Sequence, residues 1–543
     1  LKDLQYLYPS DDGNPLQREE LLDHFNTILT QLDERKDPSS LTLGNNSQHQ
    51  DDYYNQLIQQ ADIPYQAQSI KETIHDLVKL AEGHRYINSS YVANAAPLPN
   101  IPSILGNLVM VLLNGNNLWD VEGSGAATAE VKITSMLSKL VGYDPNQSAG
   151  YTTWGGQGAV FNSLRLAIAR RFPETNQTGI PGNLYCFCSE LSHYSLYKSV
   201  EATGIGVANL IRVKVNDDHS MNIEDLKKKM NEVIQNGGIP TYVLATMGTT
   251  DTFGIDDLEG IKKITEEIES KHRLEPIYVH ADSAMGGMYT FFNHYEFDKN
   301  PLGLGGNVLH TLKGYQTKLK AIRQADSMVF DFHKLGQTPY SSSLFLIKDK
   351  ASLQYVDLDH EETPYVGNRS YGSYHTSYTL ECSRMGSSIS IYASLLGMGI
   401  EGYQKILAHY LELNLAFRNK MLKQFSNVAI TNDVSPITTF RFYPENVLWD
   451  EEKQGERSLE EIEHNNQFND EFAELIGEER DRVYFGNTRK QRLVPSKNSS
   501  RRIPVFAHKF FPVSPYSTLE DVDRYVDFLE EHMNIYRKTP LLV

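Results

Sequence analysis

A lysine follows directly on a strand-like apolar run in Met328-Val-Phe-Asp-Phe-His-Lys334. Burying an ammonium is costly unless it is paired or has a task. Condensing with an aldehyde into an imine is such a task, because it removes the charge. The alternative for His333 and Lys334 is a solvated loop, the commoner fate of a lysine. Four features upstream decide between the two.

The first is Thr153-Trp-Gly-Gly-Gln-Gly-Ala159, opening a helix-like run from Val160 to Arg170. Glycines there let backbone N–H groups approach a phosphate, whose charge the helix start favours. The second is Ser192-His193, in a turn after the strand-like Leu184–Cys188. An imidazole there either stacks on an aromatic ring or is merely solvated. The third, Ala245-Thr-Met-Gly-Thr-Thr250, offers hydroxyls and a tight turn at a strand end. The fourth is His280-Ala-Asp-Ser-Ala284. A carboxylate at a strand's end can keep a pyridine nitrogen protonated, and the small Ala284 leaves room for a flat ring. The rivals are that Asp282 caps a turn, or that His280-x-Asp282 binds a metal completed by His193 or His333.

Strand–helix alternation must position these groups. Strands are expected at Leu184–Cys188, Ile211–Val215, Tyr242–Ala245, Ile277–His280 and Leu344–Ile347, with a helix carrying Leu258, Ile261, Ile264 and Ile268 on one face. That pattern implies an α/β domain with a mostly parallel sheet, and such sheets bind ligands beyond the strands' carboxyl ends. An amphipathic helix is expected around Leu21–Leu32, a strand at Ile437–Phe442, and a final helix capped by Ser517 with Glu520. The basic cluster Arg489, Lys490, Arg492, Lys497, Arg501 and Arg502 reads as a solvated loop. We expect three segments: a helical dimerisation segment over 1–135, a large α/β domain over 136–390 and a small α+β domain over 391–543.

The 543 residues exceed one hydrophobic core. Acidic side chains outnumber basic ones, 69 to 51, a formal charge of −18 that argues against nucleic acid or an anionic membrane as partner. Three cysteines make no disulfide framework, so a reduced cytoplasmic setting is expected. No signal peptide is visible at the start, where Leu1 stands in place of Met. The longest apolar run, Ile104–Leu113, is too short for a bilayer and is expected to be a buried helix.

Taken together, His280-Ala-Asp282-Ser-Ala284, Ser327 and His333-Lys334 resemble the pyridoxal-phosphate-dependent amino-acid decarboxylases that include the glutamate, aromatic-amino-acid and tyrosine enzymes. Leu113-Asn-Gly-Asn-Asn117 and Asp331–Ser341 look most like the bacterial tyrosine decarboxylase branch. The resemblance implies a fold-type I (aspartate-aminotransferase-like) α/β homodimer, with an N-terminal helical arm, acting on a small amino acid, with an aromatic substrate such as tyrosine favoured. It implies that Lys334 carries the pyridoxal 5′-phosphate, His193 stacks on its ring, Asp282 pairs with the ring nitrogen, Ala284 lies beneath and Thr246 sits near the substituents. Gly156, Gln157, Ser327 and His333 would hold the phosphate, with no metal. Gln157 departs from the family's usual Ser or Thr, Trp154 is large for its place, and the His-Pro start of a substrate-side motif is missing near His84-Arg85-Tyr86.

The polar stretch Ser352–Tyr378 carries Tyr355, Tyr365, Tyr371, Tyr374 and Tyr378 and is expected to be a mobile lid. The resemblance places the acid that protonates Cα on that lid, Tyr365 first and Tyr371 second. Other readings are a carbon–carbon lyase, a decarboxylation-linked oxidative deaminase, a metal-dependent hydrolase on His280 and Asp282, or a non-catalytic relative.

Overall fold

The computed structural model describes residues 2–9, 15–44, 52–358, 361–362 and 374–538. The chain enters through α1 (Pro15–Asp33) and α2 (Ile70–Leu80), the latter begun by a reciprocal Ser69–Glu72 capping box. After the two-residue β1 (Tyr91–Val92) come α3 (Ile101–Leu113) and α4 (Asp120–Val141). The Asn100 side chain caps α3 by accepting the Ser103 N–H, and Asn114 ends it at φ +48°.

Strand and helix then alternate through β2 (Ala149–Thr153), α5 (Gly156–Arg171), β3 (Leu184–Ser189), β4 (Leu210–Val213), α6 (Ile223–Gln235), β5 (Ile239–Thr246), α7 (Leu258–His272), β6 (Tyr278–Asp282), β7 (Ser327–Asp331) and β8 (Ser343–Ile347). They form one sheet in the order β2-β8-β7-β6-β5-β3-β4. Only β8 runs against its neighbours. Every residue of β6, β7 and β8 is buried, because helices cover both faces of the sheet. Leu258, Ile261, Ile264 and Ile268 of α7 are buried on one face, as their spacing requires.

The C-terminal part holds the long α8 (Ser387–Gln424), redirected at Gly399 where φ is +60°, then β9 (Val428–Ile430), β10 (Thr438–Phe442), α9 (Leu459–Glu478), β11 (Tyr484–Thr488), the hairpin β12 (Leu493–Ser496) and β13 (Ser499–Pro504), β14 (Ala507–Phe510) and α10 (Leu519–Lys538). Its sheet runs β1-β11-β14-β10-β9, so Tyr91 and Val92 from the N-terminal segment complete it beside Tyr484 and Phe485. Among the described residues no helix is long and apolar enough to cross a membrane.

Three expectations are corrected. Ile104–Leu113 is helical but not buried: Ile104 is 47% and Val111 66% exposed. Only a narrow stripe packs on α8, at Gly106, where a Cβ would fall 2.7 Å from the Ser390 Cα, and much of the rest of the helix is left exposed among the described residues. The last helix is capped by Thr518 with Asp521, whose carboxylate accepts the Thr518 N–H at 2.8 Å, while Ser517 turns inward. The basic cluster forms the β12–β13 hairpin and its approach, where Arg492 is buried and Arg502 grips Glu190 through two bonds of 2.9 and 2.6 Å.

Candidate active site

The carboxyl ends of β3, β5, β6 and β7 point to one edge of the sheet, and β2 ends on the same side. Parallel pairing therefore collects His193, Thr246, Asp282 and Lys334, which are far apart in sequence. Thr246 lies opposite Asp282 in the β5–β6 register, and the Thr246 and Ser192 hydroxyls are 2.7 Å apart. The buried Asp256 fixes that turn, accepting the Thr246 N–H at 2.7 Å and the Met221 N–H at 2.6 Å.

Lys334 sits in the turn after β7, its Nζ 2.8 Å from Oδ2 of Asp331, and its side chain retains 24% exposure where it borders the cleft. Asp331 also accepts the Ser343 hydroxyl at 2.6 Å and lies 3.8 Å from His333 Nε2. Burial alone would raise Asp331; Lys334 and His333 outweigh it and bring the carboxyl below its usual range. Burial likewise opposes the Lys334 ammonium, but Asp331 prevails and the lysine is held charged. Sequence reasoning missed Asp331. The signal was present: an acid ending a buried strand three residues before a lysine meets it around one turn.

Asp282 is buried, and that burial pushes its pKa up to about 6 despite the nearby Lys334. Its side chain accepts one hydrogen bond among the described residues, a long one of 3.3 Å from the Ala284 N–H. Burial, reinforced by Lys334, lowers the His193 imidazole to about 4, so it is neutral at pH 7. Its Nδ1 accepts the Ser195 N–H at 3.2 Å, which orients the ring.

At the end of β2 the chain turns through Gly155, at φ +117°, into α5. A Cβ on Gly156 would fall 2.8 Å from Asp331 Oδ2, so only glycine allows this approach. The first N–H groups of α5 have no acceptor inside the helix and face an anion's natural place. The Gln157 amide is turned away, donating to Ser195 O at 3.2 Å and Ser199 Oγ at 3.1 Å. Trp154 lies over Gly158, where a Cβ would meet the indole at 2.9 Å. His333 stacks on Tyr340 with centroids 4.5 Å apart, and its Nδ1 accepts the Ser342 N–H at 3.3 Å.

Ser327 is not brought to this place. It begins β7 where Asp331 ends it, about 13 Å away at ~3.3 Å per residue, and its hydroxyl is 2.8 Å from His280 Nδ1. His280 is thus engaged inside the core, and no group of three or more His, Cys, Asp or Glu among the described residues is placed to hold a metal. Tyr365 and Tyr371 lie outside the described residues. Tyr374 and Tyr378 are anchors: the Tyr374 hydroxyl donates to Glu130, and Tyr378 O accepts from Arg165 at 2.7 Å. Glu130 is also paired with Arg384 at 2.7 Å, both fully buried.

This arrangement suits a flat, anionic aldehyde. Lys334 supplies the amine, Asp282 a buried carboxylate short of a donor, and the start of α5 a place for a phosphate. The Pyridoxal-dependent decarboxylase conserved domain matches residues 53–443. An L-2,4-diaminobutyrate decarboxylase of Acinetobacter baumannii is 27% identical over 333 residues, 57% of this chain and 59% of that protein. An aspartate 1-decarboxylase of Aliivibrio fischeri is 26% identical over 365 residues, 62% of this chain and 61% of that protein. The chain thus spans about 60% of the length of these curated relatives. The solved glutamate decarboxylase domain of a diaminobutyrate-pyruvate transaminase and L-2,4-diaminobutyrate decarboxylase from Vibrio parahaemolyticus superposes with TM-score 0.72 at 18% identity, covering 98% of both chains, and so shares the fold. The chain belongs to the pyridoxal-dependent decarboxylase family, with the fold-type I architecture and pyridoxal phosphate as its cofactor.

Proposed function

We propose that this protein removes the α-carboxylate of an L-amino acid, releasing carbon dioxide and the amine. One observation carries the reading: adjacent parallel strands deliver Asp282 and Lys334, a buried carboxylate and a half-buried amine, to the same cleft beside His193. The cofactor, when bound, supplies an electron sink for the bond that breaks. Lys334 would hold and release it, with Asp331 keeping the free amine charged and oriented between the two. Asp282 keeps a proton on the ring nitrogen, and neutral His193 packs on the ring face. Gly156, Gln157 and His333 form the phosphate end, through main-chain N–H groups and the imidazole. A dry cleft favours loss of the substrate's negative charge.

We assign proton return to Cα to Tyr365, by resemblance of its stretch to the family's lid. The tyrosine-decarboxylase-like stretches support an aromatic substrate, while the relatives above are named for diaminobutyrate and aspartate. Carbon dioxide and amine release from tyrosine, phenylalanine, tryptophan, diaminobutyrate, aspartate and glutamate tests the activity and selects among them. Failure on all six, with the cofactor bound, would defeat the reading.

We further propose a cytoplasmic homodimer. The uncovered face of α3, with Leu105, Val111, Leu112 and Leu113 each more than half exposed, is apolar surface of the kind a second copy buries. The free thiols of Cys186, Cys188 and Cys382 suit a reducing compartment.

A further inference from the structure

A second cleft, of about 390 Å³, opens on the outer side of His193, between the turn after β3, the loop after β5 and the β11–β12 connection. Its volume falls in the range of small-ligand sites. Four charged residues line it, and their pairing is unequal. Glu190 is neutralised by Arg502 through two bonds of 2.9 and 2.6 Å, and Asp251 by Lys509 at 3.1 Å. Arg212 and Lys490 have no carboxylate partner among the described residues. Arg212 Nη1 donates to Cys188 Sγ at 3.0 Å, and Lys490 Nζ to the main-chain oxygen of Glu190 at 3.0 Å. A half-buried Arg212 and an exposed Lys490 thus face one cleft, near enough that Arg212 adds to the partial burial that weakens the Lys490 ammonium. In a chain of formal charge −18, two cations left without a carboxylate on one wall make a local positive patch that an anion can join.

We propose that this cleft is an anion site, in which a small dianion, a phosphate monoester or a dicarboxylate, bridges Arg212 and Lys490 and lies against His193. The planar guanidinium offers paired donors, and the flexible ammonium closes from the opposite side. Because the walls come from both sheets, the anion ties the small sheet to the large one, next to the imidazole that borders the cofactor.

The test is calorimetric titration of the cofactor-loaded enzyme, so that the cofactor's own phosphate place is filled, in phosphate-free buffer at low ionic strength. The probes are inorganic phosphate and succinate. We expect one site per chain, weakened by added salt. Arg212→Gln and Lys490→Gln should each weaken binding about tenfold or more, whereas Arg212→Lys should keep most of it. Tighter phosphate identifies a phosphate ester as the occupant, and tighter succinate a dicarboxylate. If the wild type binds neither probe, or the folded Gln variants bind as the wild type does, the site does not exist.

Discussion

Asp282→Asn should act in opposite directions on stability and on turnover. Burial lifts the Asp282 pKa from the usual 3.8 to about 6. That rise of about two pH units, at ~1.4 kcal/mol each, makes the ionised group cost about 3 kcal/mol in the cofactor-free protein. The folded value lies above the unfolded one, so the protein binds the proton more tightly than the unfolded chain does. The Asp282 contribution to stability is therefore greatest below pH 3.8, is lost as pH rises through about 6, and stays lower by about 3 kcal/mol above that. An amide has no charge to bury. Cofactor-free Asp282→Asn should thus unfold at higher denaturant than wild type at pH 8, with the gap shrinking as pH falls below about 6. In the loaded enzyme the order reverses, because only a carboxylate keeps the ring nitrogen protonated. A loss of about 4 kcal/mol in the transition state lowers kcat by about a thousandfold. The assays are urea unfolding of cofactor-free protein at both pH values, and amine release by loaded protein. An Asn variant that is less stable at pH 8, or that turns over within about tenfold of wild type, would refute the reasoning.

Arg384→Met should cost about 3–5 kcal/mol in denaturant unfolding, because it strands Glu130 where both side chains are almost wholly buried. The double change Glu130→Leu with Arg384→Met should be the milder of the two. Replacing Val111 and Leu112 by lysine should convert a dimer to a monomer in light scattering without loss of helix content; an unchanged dimer would place the interface elsewhere. Tyr365→Phe should leave cofactor capture intact and slow amine release, and unaltered amine release would remove Tyr365 from the proton path.

Much of the large sheet was legible because its strands are short, apolar and bounded by turn residues, and chemistry follows directly on their ends. That juxtaposition singled out Lys334 after β7 and Asp282 at the end of β6, and the set of motifs taken together chose among their rival roles. What escaped depended on partners distant in sequence. Glu130 meets Arg384 across 254 positions, with no local pattern to signal it. The Arg489–Arg502 stretch looked like solvated loop because its composition is polar, yet Glu190, far upstream, draws Arg502 inward. Ser327 fell in the right motif at the wrong end of its strand, an error of direction along β7. The α3 run was apolar enough for a core, but apolarity alone does not say whether this chain or another copy supplies the cover.

The proposed chemistry requires Lys334 to be the residue that captures the cofactor. The purified protein should be loaded with pyridoxal 5′-phosphate, reduced with borohydride, digested and mapped by mass spectrometry, alongside Lys334→Ala. We predict a visible absorption band that borohydride abolishes, and the reduced adduct on the peptide containing Lys334 and nowhere else. Folded Lys334→Ala should show neither. An adduct on another lysine at the wild-type rate, or its formation in Lys334→Ala, would contradict the account.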